Sequence, residues 1–282
     1  MKDIILDNGI VKAHVNAFGA ELKGLEMDGL EYLWQGDPKY YGRTSPTLFP
    51  IMGRFLSDTY YVKDRAYHMT INGFAMDRNF TPREITDVSA GFELCDDERT
   101  RQVYPFAFRL RVRYVLDGQR MKVAYCVENR GKEPLPFCVG CHTAYKWPLE
   151  GTDPDKYRLR FESRADIASF NPFNWKDPSF VRDGYRPLSH DLFRNYTRSM
   201  RLTDPGYVEY GSESFSHGVR IHRDDFPFMA VWTLPDPEAE LICLEPSTSV
   251  HAGAATTIED RAGTLVLEPG GTCVKAFSIE LF

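Results

Sequence analysis

Two short segments carry side chains suited to moving protons. Cys138-Val139-Gly140-Cys141-His142 ends on an imidazole, and Leu241-Ile242-Cys243-Leu244-Glu245-Pro246 is an apolar run that ends on a carboxylate. Histidine is the side chain whose ordinary pKa lies nearest neutrality, and a carboxyl group taken out of water is pushed up toward the same range. His142 as acid and Glu245 as base would therefore make a proton-exchanging pair. A carboxylate that closes a buried strand costs free energy unless it is paired. That makes Glu245 either a working group with an adjusted pKa or a structural glutamate held by an ion pair.

The CxxCH spacing admits other chemistry. It is the pattern of covalent haem attachment, but that chemistry belongs to exported proteins, and Met1–Val15 is polar too early for an export signal. A redox dithiol would want a βαβ setting, and zinc would need a fourth ligand beyond Cys138, Cys141 and His142 at a recognisable spacing. Neither is present, so the two cysteines read as small buried fillers. His190-Asp191 and His222-Arg223-Asp224-Asp225 could be pieces of a metal site or a triad, although such pairs are more often surface residues. The chain has no GxSxG, GxGxxG or GxxxxGK[ST]. No cofactor or metal is expected.

Two further segments offer ligand-binding groups. Ser45-Pro46-Thr47-Leu48-Phe49-Pro50-Ile51-Met52-Gly53-Arg54 places a guanidinium after an apolar, proline-bracketed stretch, and Arg54 there would clamp oxygens with several donors. Ile71-Asn72-Gly73-Phe74-Ala75-Met76-Asp77 is a tight turn that presents an amide, Asn72, and an aromatic ring.

The elements that must position these groups read as strands. In Arg109–Leu116 the residues Leu110, Val112, Tyr114 and Leu116 share one face and the arginines the other, and after Asp117-Gly118 the alternation resumes through Met121–Val127. That is an antiparallel hairpin with one solvated face. Similar runs at Val11–Val15, Glu21–Met27, Tyr157–Phe161, Val219–His222, Phe228–Trp232, Leu241–Leu244, Thr264–Leu267 and Val274–Leu281 are punctuated by Gly, Pro, Asp and Asn. Helical periodicity is confined to short polar turns near Asp96–Val103 and Asp177–Arg182. Asp166–Leu188, rich in Phe, Asn, Pro and Asp, reads as a long ordered loop. The expectation is an all-β antiparallel sandwich or barrel forming a single domain over residues 1–282.

Composition narrows the partners. A chain of 282 residues with 43% hydrophobic side chains can bury a large core, and 34 basic against 40 acidic residues give a net charge of −6. A nucleic-acid protein would need a basic face, so sugars, neutral metabolites or proteins remain as partners. No apolar run is long enough to span a bilayer, and six cysteines without an export signal suit reduced thiols, so a cytoplasmic protein is expected, with no membrane partner. Monomer and homodimer fit equally well.

In order along the chain these segments resemble the aldose 1-epimerase (galactose mutarotase-like) family, most closely its LacX-like branch. SPTLFPIMGR is similar to that branch's SPxLFPxxGR, INGFAMD to HGFARD, YPFAFRLRVRYVL with VENRG to its YPFxF strand and VxNxG turn, and GCHTAY to GxHPxF. LSHDLF resembles a later loop, and VWTLP with LICLEP the closing strands. The resemblance covers nearly the whole chain. It implies an antiparallel β-supersandwich with a sugar cleft, no cofactor, and interconversion of the α and β anomers of an aldose. It further implies that His142 is the general acid and Glu245 the general base. Arg54, Asn72, Asp191 and an aromatic wall, for which Trp232 is the candidate, would bind the sugar.

The sequence departs from the family pattern at four places. Asn72 replaces the histidine of HGFAR and Met76 its arginine, Thr143 replaces the proline of GxHPxF, and Ser247 replaces an aromatic residue after the closing Glu-Pro. The acid and base are kept while the binding shell changes, which points to a sugar other than plain galactose or glucose. Two alternatives stand beside the enzyme reading: a sugar-binding or regulatory module without turnover, and an epimerase of a sugar phosphate that would draw on Arg43, Arg54, Arg78 or Lys146.

Overall fold

The computed structural model describes residues 3–151, 153–171, 176–194, 197–202, 206–212, 216–250 and 254–282. The clearest alternating pattern in the sequence lies inside the larger sheet. Strands Phe108–Asp117 and Arg120–Asn129 pair antiparallel, from Phe108 opposite Asn129 to Asp117 opposite Arg120. Leu110, Val112, Tyr114 and Leu116 are buried, whereas Arg111 and Arg113 face solvent and reach Glu93 and Glu84. The half-buried hairpin expected from the alternation is therefore the one formed.

Among the described residues this hairpin belongs to a nine-stranded antiparallel sheet. Its order is Tyr185–Pro187, Tyr157–Phe161, Tyr207–Ser212, Gly218–His222, Thr272–Leu281, Arg120–Asn129, Phe108–Asp117, Ser89–Cys95 and Thr81–Arg83. A second sheet runs Lys176–Val181, Ile167–Phe170, Arg198–Arg201, Phe228–Trp232, Leu241–Ser247, Gly140–Cys141 and Thr47–Leu48, with Thr143–Lys146 also paired to Leu241–Ser247. A smaller sheet of Ile4–Asp7, Val11–Asn16, Glu21–Met27 and Leu30–Glu31 packs its apolar residues into the same core.

The two large sheets meet through aromatic side chains. Tyr145 of the second sheet lies 6.4 Å from Tyr210 of the first, centroid to centroid, and the Tyr210 hydroxyl donates to the Lys146 carbonyl at 2.7 Å. Strand Leu241–Ser247 is buried along its whole length. Ile242 and Leu244 enter the main core, while Leu241 and Cys243 lie in a separate cluster with Trp34, Tyr40, Tyr41 and Trp232 against it. Period-two geometry therefore places Glu245 on that second, outer face.

Two expectations need correction. Asp166–Leu188 is not a loop: strands Ile167–Phe170, Lys176–Val181 and Tyr185–Pro187 occupy its described part, residues 172–175 lying outside it. Asp177–Val181 accordingly lies in a strand and Arg182 in an isolated bridge with Tyr185, rather than in a helical turn. The pairing of Ile167–Phe170 with Lys176–Val181 shifts register between Ile167 and Ser169, and that irregularity breaks the alternation a sequence pattern needs. The short helix at Glu98–Val103 forms as expected and is capped by Asp97, whose carboxylate accepts the Thr100 N–H at 2.7 Å.

Candidate active site

Sheet register brings the two proton-carrying residues together. Gly140 pairs with Ser247 and Thr143 with Leu244, so His142 falls opposite Glu245 on the neighbouring strand. Across the other edge of Leu241–Ser247, Ala230 pairs with Glu245 and Trp232 with Cys243. The imidazole, the carboxylate and the indole thus share one face of the second sheet. Nε2 of His142 stands 3.2 Å from Oε1 of Glu245. The alignment is not that of a hydrogen bond, and neither carboxyl oxygen of Glu245 has a hydrogen-bond partner among the described residues.

Glu245 is 1% exposed, and this burial pushes its pKa up to about 8. His142 keeps 11% of its side chain exposed, so the pair is approached from the imidazole side. Tyr41 covers that side. Its hydroxyl lies 3.1 Å from His142 Nδ1, its ring stacks on the imidazole at 5.1 Å between centroids, and its edge meets Trp232 at 5.6 Å. Trp232 packs edge-on to His142 at 5.6 Å, so its ring stands beside His142 and Glu245. Tyr41 is a contact that no sequence motif announces. The Lys39-Tyr40-Tyr41 run carries no motif, and the only signal was an aromatic pair just before the proline-bracketed segment.

Small residues and buried hydrogen bonds fix this geometry. A Cβ on Gly140 would stand 2.7 Å from the Pro246 carbonyl oxygen and 2.7 Å from the Ser247 Cβ, so only glycine lets the two strands close beside His142 and Glu245. The His142 N–H donates to the Pro46 carbonyl at 3.2 Å. One residue on, Thr143 shares a 2.7 Å hydrogen bond between hydroxyls with Ser45, which gives the threonine that replaces the family proline a local role. Buried Glu21 accepts the N–H groups of Thr44 and Ser45 at 2.7 and 3.1 Å and so holds that segment in place.

The other expected ligands are arranged around a different bend. Asn72 is buried at φ 64°, and its Oδ1 accepts the Gly53 N–H at 2.6 Å while its own N–H donates to the Gly53 carbonyl at 2.7 Å. Its amide therefore fixes the turn that carries Arg54. Arg54 is 59% exposed and pairs with Asp58 at 3.2 Å. Gly73, at φ 77°, is obligatory because a Cβ there would overlap the Phe49 carbonyl. Met76 is buried, and Arg43 donates to the Met76 carbonyl at 3.3 Å and to Asp77 at 2.5 Å.

Buried Arg261 joins this bend to the chain that follows Glu245. It donates to the carbonyls of Met52, Arg54 and Val250, with its guanidinium 4.7 Å above the Phe55 ring. Asp191 is exposed and holds Arg194 at 2.8 Å, and no contact joins it to His142 or Glu245 among the described residues. Its neighbour His190 stacks on Trp147 at 4.3 Å. Cys138 and Cys141 are buried free thiols whose pKa burial pushes up, so both act as fillers.

Fold and site together define an all-β protein in which an imidazole and a buried carboxyl group face each other within one sheet beside the rings of Tyr41 and Trp232. The chain belongs to the aldose 1-epimerase family, whose pattern matches residues 2–273. It is similar to the chromosomal protein LacX of Lactococcus lactis subsp. lactis, at 30% identity over 99% of both chains. Among solved structures it resembles a galactose mutarotase related enzyme from Lactobacillus acidophilus (TM-score 0.93, 27% identity, 99% of this chain and 97% of that one). It is equally similar to a galactose mutarotase-like protein from Lactobacillus casei (TM-score 0.93, 27% identity, 99% of this chain and all of that one). The fold is the galactose mutarotase-like antiparallel β-supersandwich.

Proposed function

We propose that this protein is an aldose 1-epimerase that interconverts the α and β anomers of a sugar by ring opening and closure. The observation that carries this reading is the placement of Nε2 of His142 3.2 Å from Oε1 of buried Glu245. A cyclic aldose bears its anomeric hydroxyl and its ring oxygen on one carbon, so acid and base must sit side by side to serve both. Glycoside hydrolases instead set two carboxyl groups roughly 5 to 9 Å apart across the scissile bond.

In the proposed step the Glu245 carboxylate takes the proton of the anomeric hydroxyl, and that O–H pair becomes the second bond of the aldehyde. The bond from C1 to the ring oxygen breaks with its electron pair going to oxygen, which receives the proton from His142 Nε2. Rotation about C1–C2 presents the other aldehyde face, and reversal of the proton transfers closes the ring. A base whose pKa is raised to about 8 matches work near neutrality. Trp232 and Tyr41 would stack on the sugar, and Arg54 and Asn72 would supply polar contacts from the neighbouring bend. Asp191, whose Oδ1 holds Arg194, would add a polar contact from its loop.

Two-dimensional NMR exchange spectroscopy on a panel of aldoses and their 6-phosphates, in a weakly catalytic buffer, tests the reading. Protein-dependent exchange between anomers supports it. Ligand line broadening without exchange would make the protein a sugar-binding module.

A further inference from the structure

Tyr41 is fixed to the strand of the residue it touches. Trp34 donates its N–H to the Ala144 carbonyl at 3.0 Å and its indole Nε1–H to the Tyr41 carbonyl at 2.7 Å, while the Tyr41 N–H donates to the Asp37 carbonyl at 2.9 Å. The phenol is thereby held against the imidazole by bonds that start two residues from His142. It meets Nδ1, the nitrogen turned away from Glu245.

We propose that Tyr41 is a positioning residue that accepts a hydrogen bond from His142 Nδ1–H throughout the cycle, so that Nε2 is the nitrogen that exchanges its proton with substrate. The inference rests on the epimerase reading of His142 and Glu245. An imidazolium that gives up a proton can lose it from either nitrogen, and only loss from Nε2 serves a sugar oxygen beside Glu245. The proton left behind must then stay on Nδ1. A fixed acceptor there keeps it, as a buried carboxylate does in catalytic triads. Burial pushes the Tyr41 hydroxyl well above the usual phenol range, so it stays neutral and does not relay protons away from the site. When Nε2 donates, the Nε2–H bond breaks, the ring oxygen gains the proton, and the neutral ring remains as its Nδ1–H form.

The test is 15N NMR of the His142 ring in the sugar-free full chain, paired with anomer-exchange kinetics. The wild type is expected to show the neutral ring protonated at Nδ1. Tyr41→Phe, which keeps the aromatic contact, is expected to move it to Nε2–H and lower kcat by roughly 10²-fold with KM nearly unchanged. A neutral wild-type ring protonated at Nε2 would overturn the inference, as would a Tyr41→Phe ring with an unchanged tautomer. The tautomer is read without turnover, so failure of the epimerase reading is distinguishable from failure of this one. If Tyr41→Phe does not fold, Trp34→Phe takes its place: a partial shift toward Nε2–H supports the role, and no shift refutes it.

Discussion

His142 and Glu245 stand opposite one another between two flanking sheet pairings, Gly140 with Ser247 and Thr143 with Leu244, and no ladder pair forms at their own position. Nε2 and Oε1 are 3.2 Å apart. On the proposed reading each residue carries half of one proton exchange. Glu245→Gln and His142→Asn are each expected to lower catalysed anomer exchange by at least about 10²-fold while circular dichroism stays that of the wild type. Near wild-type exchange in either variant would remove that residue from the mechanism.

Burial of Glu245 also makes a statement about stability. Its ordinary pKa is 4.5 and its folded value about 8, so between these the folded state holds a proton that the unfolded state releases. The stabilising contribution is complete below the unfolded value and is lost as pH rises through about 8. The Tm of the wild type is expected to drop more steeply than that of Glu245→Gln between about pH 5 and pH 9. Parallel Tm curves for the two proteins would show that folding leaves this carboxyl group unperturbed.

Gly140 tests the strand contact beside the pair. Gly140→Ala forces a Cβ against the Pro246 carbonyl and the Ser247 side chain, so it is expected to part the strands and reduce exchange roughly 10²-fold. Gly118→Ala is the control. Its φ is positive, 57°, unlike that of Gly140, but its Cβ would meet nothing within 4 Å, and a loss of about 1 kcal/mol in stability with unchanged activity is expected. Equal activity in the two variants would mean that the close contact at Gly140 does not position the site.

At the neighbouring bend, Asn72→Ala removes the acceptor of the Gly53 N–H and puts a Cβ-bearing residue without a capping amide at φ 64°. A cost of roughly 1–3 kcal/mol is expected, read by denaturant unfolding. A raised KM with kcat largely kept is expected alongside it, because Arg54 follows Gly53 directly. Arg54→Ala should raise KM in the same way. An unchanged KM in both would leave this bend a structural element only.

The parts that were legible in the sequence are those whose pattern is local. The arginine-faced strand Phe108–Asp117 alternates cleanly because one of its faces is solvated, and His142 and Glu245 each end a short apolar segment. Ile167–Phe170 and Lys176–Val181 look like loop in the sequence because a register shift and Pro178 interrupt their alternation. Tyr41 was invisible because it reaches His142 across 101 residues, a relation that only the folded turn creates. Arg54 was legible as a cation, but its partner Asp58 depends on the turn between them. The same holds for Asn72, whose amide the sequence offered to a sugar and the fold gives to Gly53.

In the proposed reaction the His142–Glu245 pair catalyses anomer exchange. This role is tested most directly by exchange spectroscopy on wild type, Glu245→Gln and His142→Asn side by side, with the same sugars and the same buffer. Protein-dependent cross-peaks between α and β anomers are expected for at least one aldose with the wild type, and their loss in both variants. Exchange of equal rate in all three proteins would contradict the role, as would binding of a sugar by the wild type with no exchange at all.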